Sequence, residues 1–258
     1  MANAAKTIAL VIPVYHEEKN IIEVLRRIEH VNLPELCLYL IADYQDDPTL
    51  RLVDEFRKTS SLAIQILVQK NSRGPASALK LGITSSTERY IVFLTGDNSD
   101  NPADIPALVE VLKQGYSLAC ASRYSPDGAH VGGPKLKHFL SRMAGRLSFY
   151  VLRAGTVDPT NLFKAVSRDF IESIEIDSKY GFTLGLELVT KVQSQNRLHL
   201  KDIPTVWIER SFGKSHFDIT RWLPSYVYWF YRLLCACLYK LMKKAIPRRG
   251  FCADDTTR

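Results

Sequence analysis

The stretch "LTGDNSDNP", Leu94 to Pro102, continues an apolar run that begins at Ile91 and places two carboxylates, Asp97 and Asp100, among amides and hydroxyls. Two interpretations fit this pattern. Asn, Ser and Asp favour turns and helix caps. Oxygen ligands that follow a buried strand also form metal-nucleotide sites at the carboxyl edge of a parallel sheet. The rest of the chain has to distinguish the two.

The order of apolar and helical segments predicts the fold class. Segments with helical spacing lie between apolar runs of strand length. Such alternation is typical of an α/β domain with a mostly parallel central sheet flanked by helices. The predicted strands are Ile8–Val14, Leu36–Ala42, Ala63–Val68, Tyr90–Leu94 and Tyr116–Ala121.

Polar side chains follow every predicted strand, as in "PVYHEE", "DYQDDPT", "QKNSRGP", "TGDNSDNP" and "SRYSPDG". Ligands of parallel sheets bind outside the carboxyl ends of the strands, so we expect one ligand site along this edge. Neither GxGxxG nor GxxxxGK[ST] follows any strand. A dinucleotide dehydrogenase and a P-loop nucleotidase are therefore disfavoured, and any bound phosphates must be held by side chains or a metal.

Composition limits the compartment and the partners. The 258 residues carry 34 Lys and Arg against 27 Asp and Glu, a net charge of +7, which indicates anionic partners. The five cysteines are odd in number and contain no CxxC pair, so we expect a reducing, cytosolic environment without a disulfide framework or zinc site. The first apolar run is short, contains a proline and is followed by "HEEKN", which indicates a first strand and not a signal peptide.

The segment "RWLPSYVYWFYRLLCACLYKLMKK" predicts an amphipathic, aromatic helix with a basic end over residues 219–247. Such a helix suits the cytosolic face of a membrane, which favours a membrane surface over nucleic acid. Packing on the protein's own core or in a dimer seam is the alternative. Arg232 and Lys240 interrupt a spanning stretch, which leaves room for an integral-membrane partner or a homo-oligomer. We expect a domain over 1–218, this helix, and a flexible basic and polar tail over 248–258.

Several motifs resemble, in their order, the family-2 glycosyltransferases, which are inverting nucleotide-sugar enzymes, and within them the dolichol-phosphate mannose synthase-like branch. They are "VIPVYHEEKNI", "ADYQDDPT", "NSRGPASALKLG", "DPTNLFKAVSRDF" and "DIPTVWIERSFGKSHF", and the resemblance covers roughly residues 7 to 230. It implies a GT-A type fold and transfer of a hexose from a GDP- or UDP-hexose, GDP-mannose being favoured, to a polyprenyl phosphate. It also implies Mg²⁺ or Mn²⁺ as cofactor.

The resemblance also implies the residues of the donor site. Asp97 would carry the metal, and Asp97 and Arg210 would stabilise the departing diphosphate. The family's metal motif is usually Asp-any-Asp, whereas Thr95 stands at the first of these positions here. We therefore expect Asp97 to be the one clear carboxylate ligand and Asp100 to cap the helix that begins near Pro102. The nucleotide-sugar site would comprise Pro13, Tyr15, Glu17, Asp43, Asp97, Arg210 and Lys214.

The acceptor site follows from the chemistry of the nucleophile. An alcohol needs a positioned base, whereas a phosphate monoester is already anionic near neutral pH and needs cationic groups that hold it. Arg123 follows the fifth strand, and Lys137 and Ser141 are one helical turn apart. By resemblance these three residues occupy the acceptor-phosphate positions. A solvated basic helix face is the alternative.

Two further functions remain open at this point. The same fold could transfer the sugar directly to a glycan or lipid hydroxyl, in which case Asp158 or Glu187 is the candidate base. Alternatively, the altered metal motif at Thr95 marks a nucleotide-binding, membrane-associated module without turnover.

Overall fold

The computed structural model describes residues 5–70, 72–133, 135–179, 181–195, 199–210, 212 and 219–245. Within these residues a central sheet is covered by helices on both faces, which confirms the predicted α/β class. The strands are β1 (Ile8–Val14), β2 (Leu36–Ala42), β3 (Ala63–Val68), β4 (Tyr90–Phe93), β5 (Leu118–Ser122), β6 (Ala129–Val131), β7 (Lys164–Ser167), β8 (Leu200–Pro204) and β9 (Val206–Ile208). The helices are α1 (Ile21–Val31), α2 (Pro48–Phe56), α3 (Pro75–Ser85), α4 (Ile105–Lys113), α5 (Lys135–Arg146), α6 (Arg168–Glu172), α7 (Gly181–Ser194) and α8 (Ile219–Ala245).

The strand order of the central sheet is β3-β2-β1-β4-β7-β5-β8. Strand β7 runs antiparallel to both of its neighbours, and the other pairs in this sheet are parallel. Strands β6 and β9 form a separate parallel pair. Because β1, β2, β4 and β5 all point the same way, the loops that follow them meet at one edge of the sheet.

The strands are continuously apolar because both faces of the sheet are covered. All seven residues of β2 are buried. Along β1, Leu10 belongs to the core layer that contains Leu25 of α1 and Leu108 of α4, whereas Val11 belongs to the layer that contains Leu79 of α3 and Leu188 of α7. This alternation follows from the two-residue period of a strand.

The apolar pattern did not predict β8 of the central sheet, nor the antiparallel strand of that sheet, β7. Strand β7 is four residues long and begins with Lys164, whose side chain is fully buried. The ammonium group donates hydrogen bonds to the backbone carbonyls of Asp158, at 3.3 Å, and Asn161. The buried charge is thus hydrogen-bonded, as burial requires, and it holds the loop that precedes β7.

Helix α8 has two apolar faces. Trp229, Leu233 and Cys237 are buried in the core layer shared with α7, so this face packs on the protein itself. The opposite face exposes large apolar side chains, namely Leu223, Val227, Tyr231, Leu238 and Met242. No helix in the described residues is both long enough and apolar enough to span a membrane. The expected tail, 248–258, lies outside the described residues.

Truncating the two faces of α8 should have unequal effects on stability. We expect Leu233→Ala to lower the free energy of unfolding by about 2–5 kcal/mol, because it removes a fully buried leucine. The matched change Leu238→Ala, at a residue that is 49% exposed, should cost less than about 1 kcal/mol. Denaturant unfolding of the two variants measures both values, and equal losses would contradict the packing of α8 described above.

Candidate active site

The turn after β4 packs directly against the end of β1. A Cβ on Gly96 would stand 3.1 Å from Cγ1 of Val14, so the backbone of the TGD sequence approaches β1 closely. Asn98, in the same turn, adopts a positive φ of 64°. Asparagine tolerates this conformation better than most residues. The turn therefore holds the Asp97 carboxylate at the edge where the strand ends meet.

Both oxygens of Asp97 are engaged by protein donors. Oδ1 lies 2.8 Å from Oγ1 of Thr95, 2.6 Å from Oγ of Ser99 and 3.1 Å from the Ser99 backbone nitrogen. Oδ2 accepts a hydrogen bond of 2.6 Å from Nη2 of Arg210. The carboxylate thus belongs to a closed turn and to an ion pair at the same time.

The role expected for Asp100 is wrong. Its carboxylate Oδ2 faces back toward Thr95, 3.2 Å from the backbone nitrogen and 2.7 Å from Oγ1. Asn101 is the residue that precedes the short 3₁₀ turn at Pro102, and no side chain caps that turn. Burial, followed by the nearby charge of Asp97, raises the pKa of Asp100 to about 6. Asp100 therefore closes the β4 turn rather than starting a helix.

Arg210 connects the β4 turn with the segment after β1. Its Nη1 lies 3.4 Å from Oε1 of Glu17, in addition to the bond with Asp97. Glu17 also accepts a 2.7 Å hydrogen bond from Nδ2 of Asn20, and burial raises its pKa. The structure thus brings together Glu17, Asp97 and Arg210, which are far apart in the chain.

The residues expected at the nucleoside lie along the ends of β1 and β2. Pro13 is in β1, and the exposed ring of Tyr15 lies 6.2 Å from that of Tyr44, which the sequence analysis did not identify. Asp43 accepts a 2.9 Å hydrogen bond from the backbone nitrogen of Gly74, at the start of α3, and another from Gln69. Asp43 therefore ties the end of β2 to α3.

Arg123 forms a buried, bidentate ion pair with Asp158. Nε and Nη2 of the guanidinium donate to the two carboxylate oxygens at 2.7 and 2.8 Å, and the side chains are 11% and 0% exposed. Burial opposes ionisation of Asp158, but the Arg123 charge and its hydrogen bonds outweigh it, so the pKa of this carboxyl is lowered. Nη2 also faces the hydroxyls of Ser141 and Thr160, at 3.4 and 3.3 Å.

Both candidate bases are engaged in other contacts in this structure. Asp158 is committed to Arg123 through both oxygens. Glu187 lies buried in α7 and accepts hydrogen bonds from the backbone nitrogens of Asp177, at 2.6 Å, and Ser178, at 2.9 Å. These carboxylates hold other groups in place, which weakens the hydroxyl-acceptor alternative.

A stack of rings lies beside Arg123. The rings of His130 and His138 are 4.3 Å apart, and Tyr124 and Trp207 flank them. Burial, followed by the Arg123 charge, lowers the pKa of His130 to about 4, so the imidazole is neutral at pH 7. No local sequence pattern predicts this stack of rings, because its members come from the loop after β5, from β6, from α5 and from β9.

The side chains of two expected site residues, Lys137 and Lys214, lie outside the described residues. The backbone of Lys137 is described and lies in α5, whereas the whole of Lys214 falls outside the described part of the chain. Their roles stay predictions.

The residues at Asp97 do not fit a preformed divalent-metal site. Mg²⁺ prefers six oxygen ligands, and enzymes supply one or two carboxylates together with substrate phosphates. Asp97 already accepts three hydrogen bonds at Oδ1 and a guanidinium at Oδ2. The described part of the chain contains no group of three His, Cys, Asp or Glu side chains that could hold a metal ion.

The α/β fold and the polar residues that gather at its strand-end edge agree with a sugar-transferring enzyme of the GT-A type. The family model for glycosyl transferase family 2 matches residues 9–174. The chain belongs to this family, and the protein is a glycosyltransferase.

Sequence relatives are distant but cover most of the chain. A polyprenol monophosphomannose synthase of Mycolicibacterium smegmatis is 26% identical over 212 residues, which cover 80% of this chain and 79% of the relative. A dolichol-phosphate mannosyltransferase of Pyrococcus furiosus is also 26% identical, over 81% of this chain and 58% of that protein.

A solved structure supports the fold independently. Glucosyl-3-phosphoglycerate synthase from Mycobacterium tuberculosis, in complex with Mn²⁺, UDP-glucose and phosphoglyceric acid, superposes with a TM-score of 0.66. The match covers 96% of this chain and 83% of that one at 19% identity, which indicates a shared fold. That neighbour binds Mn²⁺ together with a UDP-sugar.

Asp202 provides a pH test of the site's scaffold. Its Oδ2 accepts a 2.9 Å hydrogen bond from the backbone nitrogen of Val157, next to Asp158, and burial raises its pKa to about 6. The folded state therefore binds this proton more tightly than the unfolded state does. Lowering the pH from 7 to 5 should stabilise the wild type by about 1 kcal/mol relative to Asp202→Asn.

Denaturant unfolding of both proteins at pH 5 and pH 7 measures this difference. Asp100 and His130 also have shifted pKa values, but they contribute equally to the pH dependence of unfolding in the two proteins, so their contributions cancel. Parallel pH dependences would show that Asp202 titrates normally in the folded protein.

Proposed function

We propose that this protein transfers one hexose from a nucleotide diphosphate sugar to a polyprenyl phosphate, with inversion, at the cytosolic surface of a membrane. The observation that carries the proposal is the geometry of Arg123. A buried guanidinium, fixed by Asp158, faces the hydroxyls of Ser141 and Thr160. This arrangement suits an anionic acceptor.

The donor side of the proposal rests on Arg210 and Asp97. We expect the nucleoside to bind at the strand ends beside Tyr15 and Asp43, and the departing diphosphate to bind beside Arg210, which pairs with Asp97. We favour mannose from GDP-mannose over another hexose from a UDP donor, because two of the relatives carry mannose in their names.

The proposed reaction is a single displacement. An oxygen of the acceptor phosphate attacks C1 of the hexose from the face opposite the diphosphate, and the bond between C1 and the diphosphate oxygen breaks. Arg210 stabilises the charge that develops on the leaving group. No proton has to be removed from the acceptor, which agrees with the engagement of Asp158 and Glu187 in other contacts. The Mg²⁺ or Mn²⁺ implied by the resemblance stays a prediction for this chain.

The membrane part of the proposal is supported by two exposed apolar surfaces. One is the outer face of α8. The other continues from α5, the helix that carries Ser141, into the π-helical segment Leu147–Val151. Its exposed apolar side chains are Phe139, Leu140, Met143, Leu147, Phe149, Tyr150 and Val151. Extended apolar surface marks interaction sites, and a polyprenyl chain needs an apolar phase beside its phosphate.

A transfer assay tests the proposed reaction. The full chain is incubated with short polyprenyl phosphate and radiolabelled GDP-mannose, GDP-glucose, UDP-glucose or UDP-galactose, and label is counted in the organic phase. We expect label to enter the lipid from GDP-mannose. If no donor labels the lipid although nucleotide binds, the proposal is wrong and the non-catalytic module is favoured.

A conservative variant tests the acceptor site. Arg123→Lys keeps the charge but loses the bidentate fork. Losing a charged hydrogen bond costs about 1.5–3 kcal/mol, so KM for polyprenyl phosphate should rise roughly tenfold or more. KM for the nucleotide sugar should change less than about twofold.

Two variants control this experiment. Ser141→Ala is a milder change at the same site and should raise the same KM by a smaller factor. Arg57→Lys alters an exposed arginine that pairs with Asp54 and should change neither constant. Equal rises of both KM values in Arg123→Lys would argue against an acceptor site at Arg123.

A further inference from the structure

The β4 turn differs from the metal motif of the family in a way that affects charge. Thr95 contributes a neutral hydroxyl where a carboxylate is usual, and this hydroxyl lies 2.8 Å from Asp97 and 2.7 Å from Asp100. The position that would supply a second anionic metal ligand therefore supplies a neutral hydroxyl, whose single proton can be donated to one of the two neighbouring carboxylates at a time.

A cation already occupies the outer oxygen of Asp97. Nη2 of Arg210 lies 2.6 Å from Oδ2, a distance typical of a strong charged hydrogen bond. The Arg210 side chain is 16% exposed, so the pair is largely shielded from water. A divalent ion at Oδ2 would have to displace a guanidinium that is held there by opposite charge.

Arg210 is anchored on a second side, but more loosely. Its Nη1 is 3.4 Å from Oε1 of Glu17, which is longer than the 2.7–2.9 Å of strong charged hydrogen bonds. Burial raises the pKa of Glu17, so this carboxyl is protonated more readily than that of a solvated glutamate. Of these two contacts the bond to Asp97 is the shorter, so the Glu17 contact is the one that a phosphate oxygen would replace.

A guanidinium suits this role because its planar fork matches two phosphate oxygens at once and its charge is permanent. Oriented positive groups at a leaving group usually supply the largest catalytic contribution.

We propose that in this chain the guanidinium of Arg210, held by Asp97, takes the place of the divalent cation at the donor diphosphate, so that nucleotide binding does not require metal. The inference rests on the proposed function, because it concerns the same nucleotide-sugar site. It departs from the cofactor expected by resemblance, and the reason is the set of donors around Asp97.

Calorimetric titration of the full chain with GDP and with UDP tests the inference. Each nucleotide is titrated in buffer that contains Mg²⁺, Mn²⁺ or EDTA. For the nucleotide that binds more tightly, we expect dissociation constants that agree within about threefold in the three buffers. A loss of more than tenfold in EDTA, or no binding of either nucleotide in any buffer, would overturn the inference.

Two variants make the test sharper. Arg210→Ala removes the guanidinium and frees Oδ2 of Asp97, so its affinity should fall at least tenfold in EDTA and recover partly with Mn²⁺. Thr95→Asp restores a second carboxylate, so nucleotide binding by this variant should improve at least tenfold when Mn²⁺ replaces EDTA. Arg57→Ala removes the same charge from an exposed site and should behave as the wild type in all buffers.

These outcomes separate the inference from the proposed function. Metal-dependent nucleotide binding together with transfer of hexose to polyprenyl phosphate would overturn the inference and leave the proposed function standing. Metal-independent nucleotide binding without transfer to the lipid would support the inference and count against the proposed function. If Arg210→Ala does not fold, Thr95→Asp and the three wild-type titrations still decide the question.

Discussion

The buried ion pair between Arg123 and Asp158 is the interaction on which the architecture of the site depends. It joins the end of β5 to the loop before β7, and the backbone nitrogen of Arg123 adds a third hydrogen bond to the same carboxylate. Removing one member of a buried pair leaves an uncompensated charge, so the two residues constrain each other. Lys164 holds the carbonyl of Asp158 from the other side. A guanidinium fixed in this way can face an anion without a loss of side-chain freedom on binding.

The reversed strand β7 explains how the proposed donor and acceptor sites come to share one edge. It separates β4 from β5 while leaving both pointing in the same direction, so the turn with Asp97 and the loop with Arg123 open on the same side. Arg210, in the segment that follows β9, reaches the same edge and pairs with Asp97. Two guanidinium groups thus lie at one sheet edge, each paired with a carboxylate. In the proposed reaction Arg123 binds the acceptor phosphate and Arg210 binds the donor diphosphate.

Local patterns in the sequence predicted much of this arrangement, and long-range contacts account for the rest. The first three strands were predicted with their observed bounds, because continuous apolar runs are local signals. Strand β7 was missed because it is short and carries a buried lysine. Asp97 and Arg123 were selected as candidates from their positions after strands, and their roles stay predictions. The pairing of Asp97 with Arg210 spans 113 residues, and no local pattern could reveal it. The resemblance suggested a metal, and a structural neighbour binds Mn²⁺ together with a UDP-sugar. Our inference that this chain binds nucleotide without metal rests on the donors around Asp97, which form only in the folded chain.

In the proposed reaction the acceptor is an anion held by Arg123. The most direct test compares two acceptors of equal chain length, polyprenyl phosphate and the corresponding polyprenol, with labelled GDP-mannose and the wild-type protein. We expect transfer to the phosphate and none to the alcohol, since the two candidate bases, Asp158 and Glu187, are engaged in other contacts. Comparable labelling of the alcohol would contradict this proposal.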